Sequence, residues 1–192
     1  MYFDSHAHLD EACFAEDFEE ILARMAQNQV RGMMNIGCDL PSSERSVQLA
    51  ERYDWIWAAV GSHPDDADQV DEARILTYRK LARHPRVKAI GEIGLDYHYE
   101  DVPRDVQQHA MRLQLALAEE LELPVVIHER EAHGDAVRAV SVGSSVAAGR
   151  SLLFFVPPFA VRRSRPGVVL IFGPASDAVF AAVSGRCAVY NY

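Results

Sequence analysis

Cysteine is scarce in this chain of 192 residues, which contains only Cys13, Cys38 and Cys187. Three scattered cysteines are too few for a disulfide framework or for a zinc site built from thiolates, so a reducing compartment fits best. The chain also lacks an apolar run of the ~18 residues that a transmembrane helix requires. It begins without the basic and apolar regions of a secretory signal. We therefore expect a cytoplasmic protein with no membrane partner.

Positive charge is also in short supply, because the formal net charge at pH 7 is −9. Such a chain lacks the basic surface with which many proteins hold the nucleic-acid backbone. Any phosphate substrate would therefore have to meet metal ions instead of a lysine patch. The length is sufficient for one hydrophobic core, so a single domain is the simplest expectation.

The end of the sequence lacks histidine, lysine and glutamate. Residues 1–140 carry 14 Lys and Arg against 27 Asp and Glu, whereas residues 141–192 carry five Arg and a single acidic residue, Asp177. The composition of 141–192 is what a GC-rich gene yields when its reading frame slips, which predicts an atypical and poorly folded tail. Within the tail, 168–172 could form a strand. The alternative is a divergent tail that pairs with an open sheet edge or drives dimerisation.

Within residues 1–140, short apolar runs alternate with amphipathic helical patterns. This alternation predicts an α/β fold of about five βα units with parallel strands, either a doubly wound sheet or a (β/α)8 barrel. The position of the polar residues favours the barrel, because barrel active sites are built from the ends of several strands. Five residues fall at or just past the end of an apolar run, namely His6, His8, His63, Glu92 and His128.

The first apolar run ends in the pattern His-x-His. Successive side chains of a strand point to opposite faces, so His6 and His8 would project together while Ala7 packs on the other side. Imidazoles placed in this way can hold one Zn, Mn, Fe or Ni ion, and the carboxylate of Asp4 or Asp10 could accept a hydrogen bond from a ligating ring. The alternative is a pair of half-exposed polar residues on an edge strand.

The other strand-end residues allow a functional and a structural interpretation each. A carboxylate at the end of a buried strand, such as Glu92, is costly unless it is paired or bound to a cation, so it could bridge two metals or pair with an arginine. His128 could be a metal ligand or a core histidine. Arg130 could hold a phosphate or pair with a neighbouring glutamate. His63 lies in a loop, where it could bind substrate or cap a turn.

Four segments together resemble the TatD family of metal-dependent deoxyribonucleases. Segments 3–10, 61–64, 91–97 and 124–132 read FDSHAHLD, GSHP, GEIGLDY and PVVIHEREA. Four motifs in this order are specific, and the resemblance covers residues 1 to about 140. It implies the N-terminal part of an amidohydrolase-like, TIM-like (β/α)8 barrel of metal-dependent hydrolases, here incomplete.

The resemblance also implies a two-metal site that holds two divalent ions, such as Mg, Mn or Zn. His6 and His8 would bind the first ion, Glu92 would bridge both ions and be essential for catalysis, and His128 would bind the second ion. The implied reaction is hydrolysis of phosphodiester bonds at the ends of DNA or other nucleic acids, in the manner of a 3′ exonuclease. In this reaction His63 and Arg130 would contact the substrate phosphate.

Two further enzyme activities remain open at this point, a D-aminoacyl-tRNA deacylase and an amidohydrolase that acts on a small amide or lactone. A family member of normal length would continue with a strand that bears another histidine and a later strand that bears an aspartate. Residues 141–192 lack both motifs, and Asp177 has no strand context. We therefore expect a truncated barrel with impaired activity, or an inactive metal-binding fragment, with an unpaired edge after the fifth strand.

Overall fold

The computed structural model describes residues 1–99, 101–143, 151–155 and 168–174. Strands and helices alternate through the first five units, as the sequence predicts. The strands are β1 (Tyr2–Ala7), β2 (Val30–Ile36), β3 (Ile56–Val60), β4 (Val87–Asp96), β5 (Val125–Arg130), β6 (Ser151–Phe155) and β7 (Val168–Pro174). The helices are α1 (Phe18–Gln27), α2 (Leu40–Arg52), α3 (Glu72–Leu81), α4 (Arg104–Glu120) and α5 (His133–Gly143), with 3-10 helices at Ala12–Phe14 and Pro64–Gln69.

Within the described residues, the strands form one sheet of seven strands in the order β1-β2-β3-β4-β5-β7-β6. The first five strands are parallel and follow chain order, with a helix in each connection. Right-handed strand–helix–strand units added one after another in this way are the building principle of a barrel. The prediction of an incomplete (β/α)8 barrel with five βα units is therefore confirmed.

The edge of β5 is covered, which agrees with the alternative of a tail that pairs with an open sheet edge. Strand β7 pairs with β5 in antiparallel orientation, with Val125 opposite Phe172 and Glu129 opposite Val168, and β6 pairs with β7. The expectation of an unpaired edge after the fifth strand is therefore wrong. Strand β7 includes the run 168–172 that the apolar pattern predicts as a strand. The rest of the predicted tail lies outside the described residues, apart from the end of α5 and β6.

The helices begin where side chains can satisfy the free backbone N–H groups of the first turn. The carboxylate of Asp39 accepts from the N–H of Ser42 at 2.7 Å at the start of α2, and Asp71 does the same for Arg74 in α3. Helix α4 begins directly after Pro103, whose fixed φ suits a helix start. None of the helices among the described residues is long and apolar enough to span a membrane.

Apolar side chains form two layers, one on each face of the sheet. The larger layer packs the helices on the strands and includes Ala7, as the alternation along β1 predicts. The smaller layer lies on the inner face and contains only strand residues, namely Met34, Ile36, Ala59, Ala89 and Val126, with Phe3 and Trp57 against them. Along β5, His128 and Arg130 follow Val126 on this inner face. His128 and Arg130 therefore lie next to the inner apolar layer, at the carboxyl end of the strand.

Close packing of β4 on β5 depends on Gly94. Its φ of +151° is unfavourable for residues with a side chain, and a Cβ atom there would overlap the carbonyl oxygen of His128. We expect Gly94→Ala to lower the free energy of unfolding by at least about 2 kcal/mol, measured by urea denaturation.

Gly134→Ala is the matched control, because a Cβ atom at Gly134 in α5 meets no atom within 4 Å. Alanine has the higher helix propensity, so this variant should be unchanged or more stable by up to about 1 kcal/mol. Equal stabilities of the two variants would contradict the close approach of β4 and β5.

Candidate metal centre

Four strands bring the predicted site residues together at one end of the sheet. His6 and His8 come from the end of β1, His63 directly precedes the 3-10 helix after β3, Glu92 lies in β4 and His128 in β5. Side-chain atoms of these residues form two groups in which all candidate ligand atoms lie within 4.8 Å of one another. The first group is His6, His8 and Glu92, and the second is His63, Glu92 and His128.

In the first group, the Nε2 atoms of His6 and His8 lie 3.0 Å apart. The Oε2 atom of Glu92 is 3.3 Å from Nε2 of His6 and 3.8 Å from Nε2 of His8. The Nδ1 atom of His8 lies 2.9 Å from the carbonyl oxygen of Ile36, so it carries the proton, and the neutral ring presents an Nε2 lone pair to the site. Burial and the neighbouring His6 lower the pKa of His8, which favours this neutral form.

In the second group, His128 lies between two carboxylates. Its Nδ1 is 3.3 Å from Oε1 of Glu92, and its Nε2 is 2.9 Å from Oδ2 of Asp96. Burial acts to lower the pKa of His128, but the hydrogen bonds and charges of Glu92 and Asp96 outweigh it and raise the pKa. The ring of His63 packs edge-on against His128, with centroids 4.3 Å apart.

Glu92 is shared by the two groups. Each of its carboxylate oxygens faces a different histidine, and its side chain is only 6% exposed. Burial acts to raise the pKa of Glu92, but the charge of His6 and the hydrogen bond from His128 hold the pKa well below its usual range. A buried carboxylate that stays ionised requires cations or hydrogen-bond donors around it.

Strand β4 is irregular where it carries Glu92. The pairing of β4 with β5 shifts register between Ile90 and Ile93, and the peptide bond between Gly91 and Glu92 is cis. The N–H of Glu92 donates to the carbonyl oxygen of Gly37 at 2.7 Å. Simple alternation from the inner-face residue Ala89 would place Glu92 on the opposite face, so the sequence pattern alone does not show how it reaches the site.

Asp96 is the residue that sequence reasoning missed. It is 2% exposed at the end of β4, and its Oδ2 accepts the proton on Nε2 of His128. A carboxylate in this position fixes the tautomer of the neutral ring, so when His128 gives up the proton that it shares with Glu92, its lone pair lies on Nδ1, towards Glu92. The available signal was a second acidic residue four positions after Glu92, in the same strand-end motif.

Asp4 and Asp10 do not hold the rings of His6 and His8, contrary to the sequence prediction. The Oδ1 atom of Asp4 accepts from the backbone N–H of His6 at 3.1 Å, and burial raises the pKa of Asp4 to about 6. Asp10 accepts instead from Asn35 at 2.8 Å and from Ser42 at 2.7 Å. These hydrogen bonds fix the loop after β1.

Arg130 is a buried cation at the same end of the sheet. The residue is 8% exposed, and its guanidinium stacks on the ring of Tyr99 at 4.8 Å from the ring centroid. Its Nε and one terminal nitrogen are buried and have no hydrogen-bond partner among the described residues. The predicted pairing with a neighbouring glutamate does not occur there, since Glu129 accepts from the N–H of Ala132 and Glu131 contacts His98.

The donor set fits divalent metal ions. When its ring is neutral, His128 directs the Nδ1 lone pair at a carboxylate oxygen of Glu92, and the Nε2 lone pair of His8 faces Nε2 of His6. Electron-rich atoms that face each other in this way repel each other unless a proton or a cation lies between them. Imidazole and carboxylate are also the ligands that zinc, manganese and related ions accept.

The fold and the site together define the class of protein, a barrel that carries histidines and carboxylates at the ends of several strands, as barrel hydrolases do. The family follows from the sequence profile of the TatD-related DNases, which matches residues 3–150. The chain belongs to this family, and the resemblance seen in its four motifs is confirmed.

Two curated relatives show how much of the family the chain represents. It is 38% identical over 163 residues to the uncharacterized metal-dependent hydrolase YabD of Bacillus subtilis (strain 168), an alignment that covers 85% of this chain and 64% of that protein. It is 38% identical over 131 residues to the 3′-5′ ssDNA/RNA exonuclease TatD of Klebsiella pneumoniae (strain 342), with 68% of this chain and 50% of that protein covered. The chain thus spans about half to two thirds of the length of these relatives.

Among solved structures, the chain is similar to YJJV, a TatD homolog from Escherichia coli K12. The TM-score is 0.69 at 30% sequence identity, and the match covers 74% of this chain and 56% of the other. The similarity supports the same barrel architecture. The domain boundary near residue 140, the cytoplasmic location and the roles of the site residues stay predictions.

The contact between His128 and Asp96 can be tested in the metal-free protein. We expect Asp96→Asn to lower the pKa of His128, because the variant removes a negative charge that stabilises the imidazolium. The pKa can be measured by NMR titration of the ring protons. Glu131→Gln is the control, since Glu131 contacts His98 at 2.8 Å. An unchanged His128 titration in Asp96→Asn would contradict the assigned contact.

Proposed function

We propose that this chain carries the N-terminal part of a two-metal phosphodiesterase site. The observation that carries the proposal is the position of Glu92, whose two carboxylate oxygens face His6 on one side and His128 on the other, each at 3.3 Å. A carboxylate that faces two sets of imidazoles is suited to bridge two ions.

His6 and His8 would hold the first ion and His128 the second, with Glu92 in contact with both. Bound there, two divalent ions would supply Lewis-acid chemistry that polarises a phosphoryl group and activates water for attack. Asp96 keeps the ligating nitrogen of His128 free by accepting the proton on the opposite nitrogen. Ile36 does the same for His8 through its carbonyl oxygen.

Two further side chains would bind the phosphate. Arg130 has buried N–H groups that are not used by the described residues, and a guanidinium can bind a phosphate through two parallel hydrogen bonds. The Nδ1 atom of His63 accepts the N–H of Asp65 at 3.2 Å, so the neutral ring carries its proton on Nε2 and can donate it in a hydrogen bond to a phosphate oxygen.

The proposed substrate is the end of a single-stranded nucleic acid. One relative is named as a 3′-5′ exonuclease on single-stranded DNA and RNA. The net charge of −9 argues against binding along an extended backbone, whereas a chain end needs to reach only the metal centre and Arg130. We therefore propose exonucleolytic cleavage from a 3′ end, with a cytoplasmic location.

The metal centre and the activity are tested together with Glu92→Gln, which keeps the size of the side chain and removes its charge. In the wild type, a divalent ion at 100 times its dissociation constant should raise the free energy of unfolding by about 2.7 kcal/mol. Because the variant loses the shared ligand, this stabilisation should largely disappear. Cleavage of a 3′-labelled single-stranded DNA with added Mn²⁺ or Mg²⁺ should fall at least about 100-fold.

Glu51→Gln is the control, because Glu51 is exposed in the last turn of α2, which leads into the start of β3 and not to the strand ends that hold the site. Equal cleavage by the wild type and Glu92→Gln would overturn the bridging role. Metal-dependent stabilisation without any cleavage would support the metal centre and overturn phosphodiesterase activity in this chain.

The phosphate contact is tested with Arg130→Gln and Arg130→Lys. Loss of a charged hydrogen-bonding group should lower kcat/KM for single-stranded DNA about 10- to 100-fold in the glutamine variant, mainly by raising KM. Lysine keeps the positive charge but lacks the planar guanidinium that binds phosphate through two hydrogen bonds. The kcat/KM of Arg130→Lys should therefore lie between those of the wild type and Arg130→Gln. Arg138→Gln removes the same charge from an exposed position on α5 and should have no effect. Equal values for Arg130→Gln and Arg138→Gln would exclude Arg130 from substrate binding.

A further inference from the structure

Helix α4 carries two buried glutamines whose side chains bind the backbone of the site. Gln107 and Gln114 are 2% and 1% exposed. They are seven residues apart, which places them on the same helix face about 10 Å apart along its axis. Neither side chain faces solvent, so each polar atom has to be satisfied within the core.

Gln107 holds the end of β4. Its Oε1 accepts from the N–H of Asp96 at 2.8 Å, and its Nε2 donates to the carbonyl oxygens of Asp96 and Val102, both at 2.9 Å. The amide therefore binds both backbone groups of the residue whose carboxylate holds His128. Rotation of the Asp96 backbone would break two of these hydrogen bonds at once.

Gln114 makes the same kind of contact at the end of β3. Its Oε1 accepts from the N–H of Ser62 at 2.7 Å, and its Nε2 donates to the carbonyl oxygen of Ser62 at 3.1 Å. The next residue is His63, whose own N–H donates to the carbonyl oxygen of Cys38 at 2.7 Å. The backbone on both sides of the Ser62–His63 bond is thereby fixed.

We propose that Gln107 and Gln114 are positioning residues for the two roles of the site, an inference that rests on the proposed function. Gln107 acts through Asp96 on His128 and so sets the affinity for the second metal ion. Gln114 acts through Ser62 on His63 and so sets the affinity for the substrate phosphate. Residues His6 and His8 are held by other contacts, so the affinity for the first ion should depend on neither glutamine.

The proposal is tested with Gln107→Met and Gln114→Met, which keep most of the side-chain volume and remove every hydrogen bond. Co²⁺ titrations, followed by calorimetry and visible absorption, measure the two ion affinities. Inorganic phosphate titrated into the Co²⁺-saturated protein measures anion binding. Gln107→Met should weaken the second Co²⁺ at least about tenfold and leave the first within about twofold. Gln114→Met should leave both ions unchanged and weaken phosphate about tenfold.

Two controls separate positioning from loss of stability. Gln108→Met removes an amide from the same helix that contacts Tyr97 and Asp135 instead of the site backbone. Leu117→Ala destabilises the same helix by removing a side chain that is 1% exposed. Both control variants should bind the first Co²⁺, the second Co²⁺ and phosphate as tightly as the wild type does. A purely structural role does not predict one affinity lost in each variant, because a general loss of stability would either leave all three affinities unchanged or lower them together.

If a methionine variant does not fold, the glutamate variant at the same position, Gln107→Glu or Gln114→Glu, is used in the same titrations. A buried neutral carboxyl has nearly the same shape and can both accept and donate, so these variants should retain more affinity than the methionine ones. Unchanged affinities in all glutamine variants, or proportional losses that Leu117→Ala also shows, would overturn the positioning roles. A wild type that binds no Co²⁺ would instead overturn the metal centre itself.

Discussion

The arrangement of the site depends on the buried negative charge of Glu92. An ionised carboxylate in the protein interior is costly unless cations or hydrogen-bond donors surround it, and here the donors come from two different strands. His6 arrives on β1 and His128 on β5, while Glu92 itself lies on β4. The curled parallel sheet is the scaffold that brings distant strand ends to within a few Å of one carboxylate.

The elements and the ligating types were predictable because they follow local rules. The apolar runs, the helical periodicity and the pair His6 and His8 each reflect a repeat of two or about 3.6 residues that is visible in a short window. Convergence of the strand ends follows from the parallel order, so the fold class predicts that Glu92 lies at the same end of the sheet as the histidines. Motif resemblance supplied what periodicity could not, the expected role of each residue.

The parts that were not predictable depend on contacts between distant segments. Asp96 holds a histidine 32 residues later, and Gln114 holds a backbone 52 residues earlier. No local pattern identifies such partners, since a glutamine on an amphipathic helix is equally compatible with a solvated face. The register shift in β4 and the antiparallel orientation of β7 were likewise not predictable. The alternation of side chains along a strand shows neither where the pairing becomes irregular nor in which direction a strand joins an edge.

The strand order also bears on how the chain becomes folded. Each strand from β2 to β5 pairs with the strand that precedes it in the sequence, so every new unit can dock on structure that is already complete. Contacts between sequence neighbours close small loops and favour fast folding, and domains emerging from the ribosome fold from the N-terminus. Strand β1 would therefore be in place first, and the site would be assembled in the order of synthesis, with His128 joining last when β5 leaves the exit tunnel.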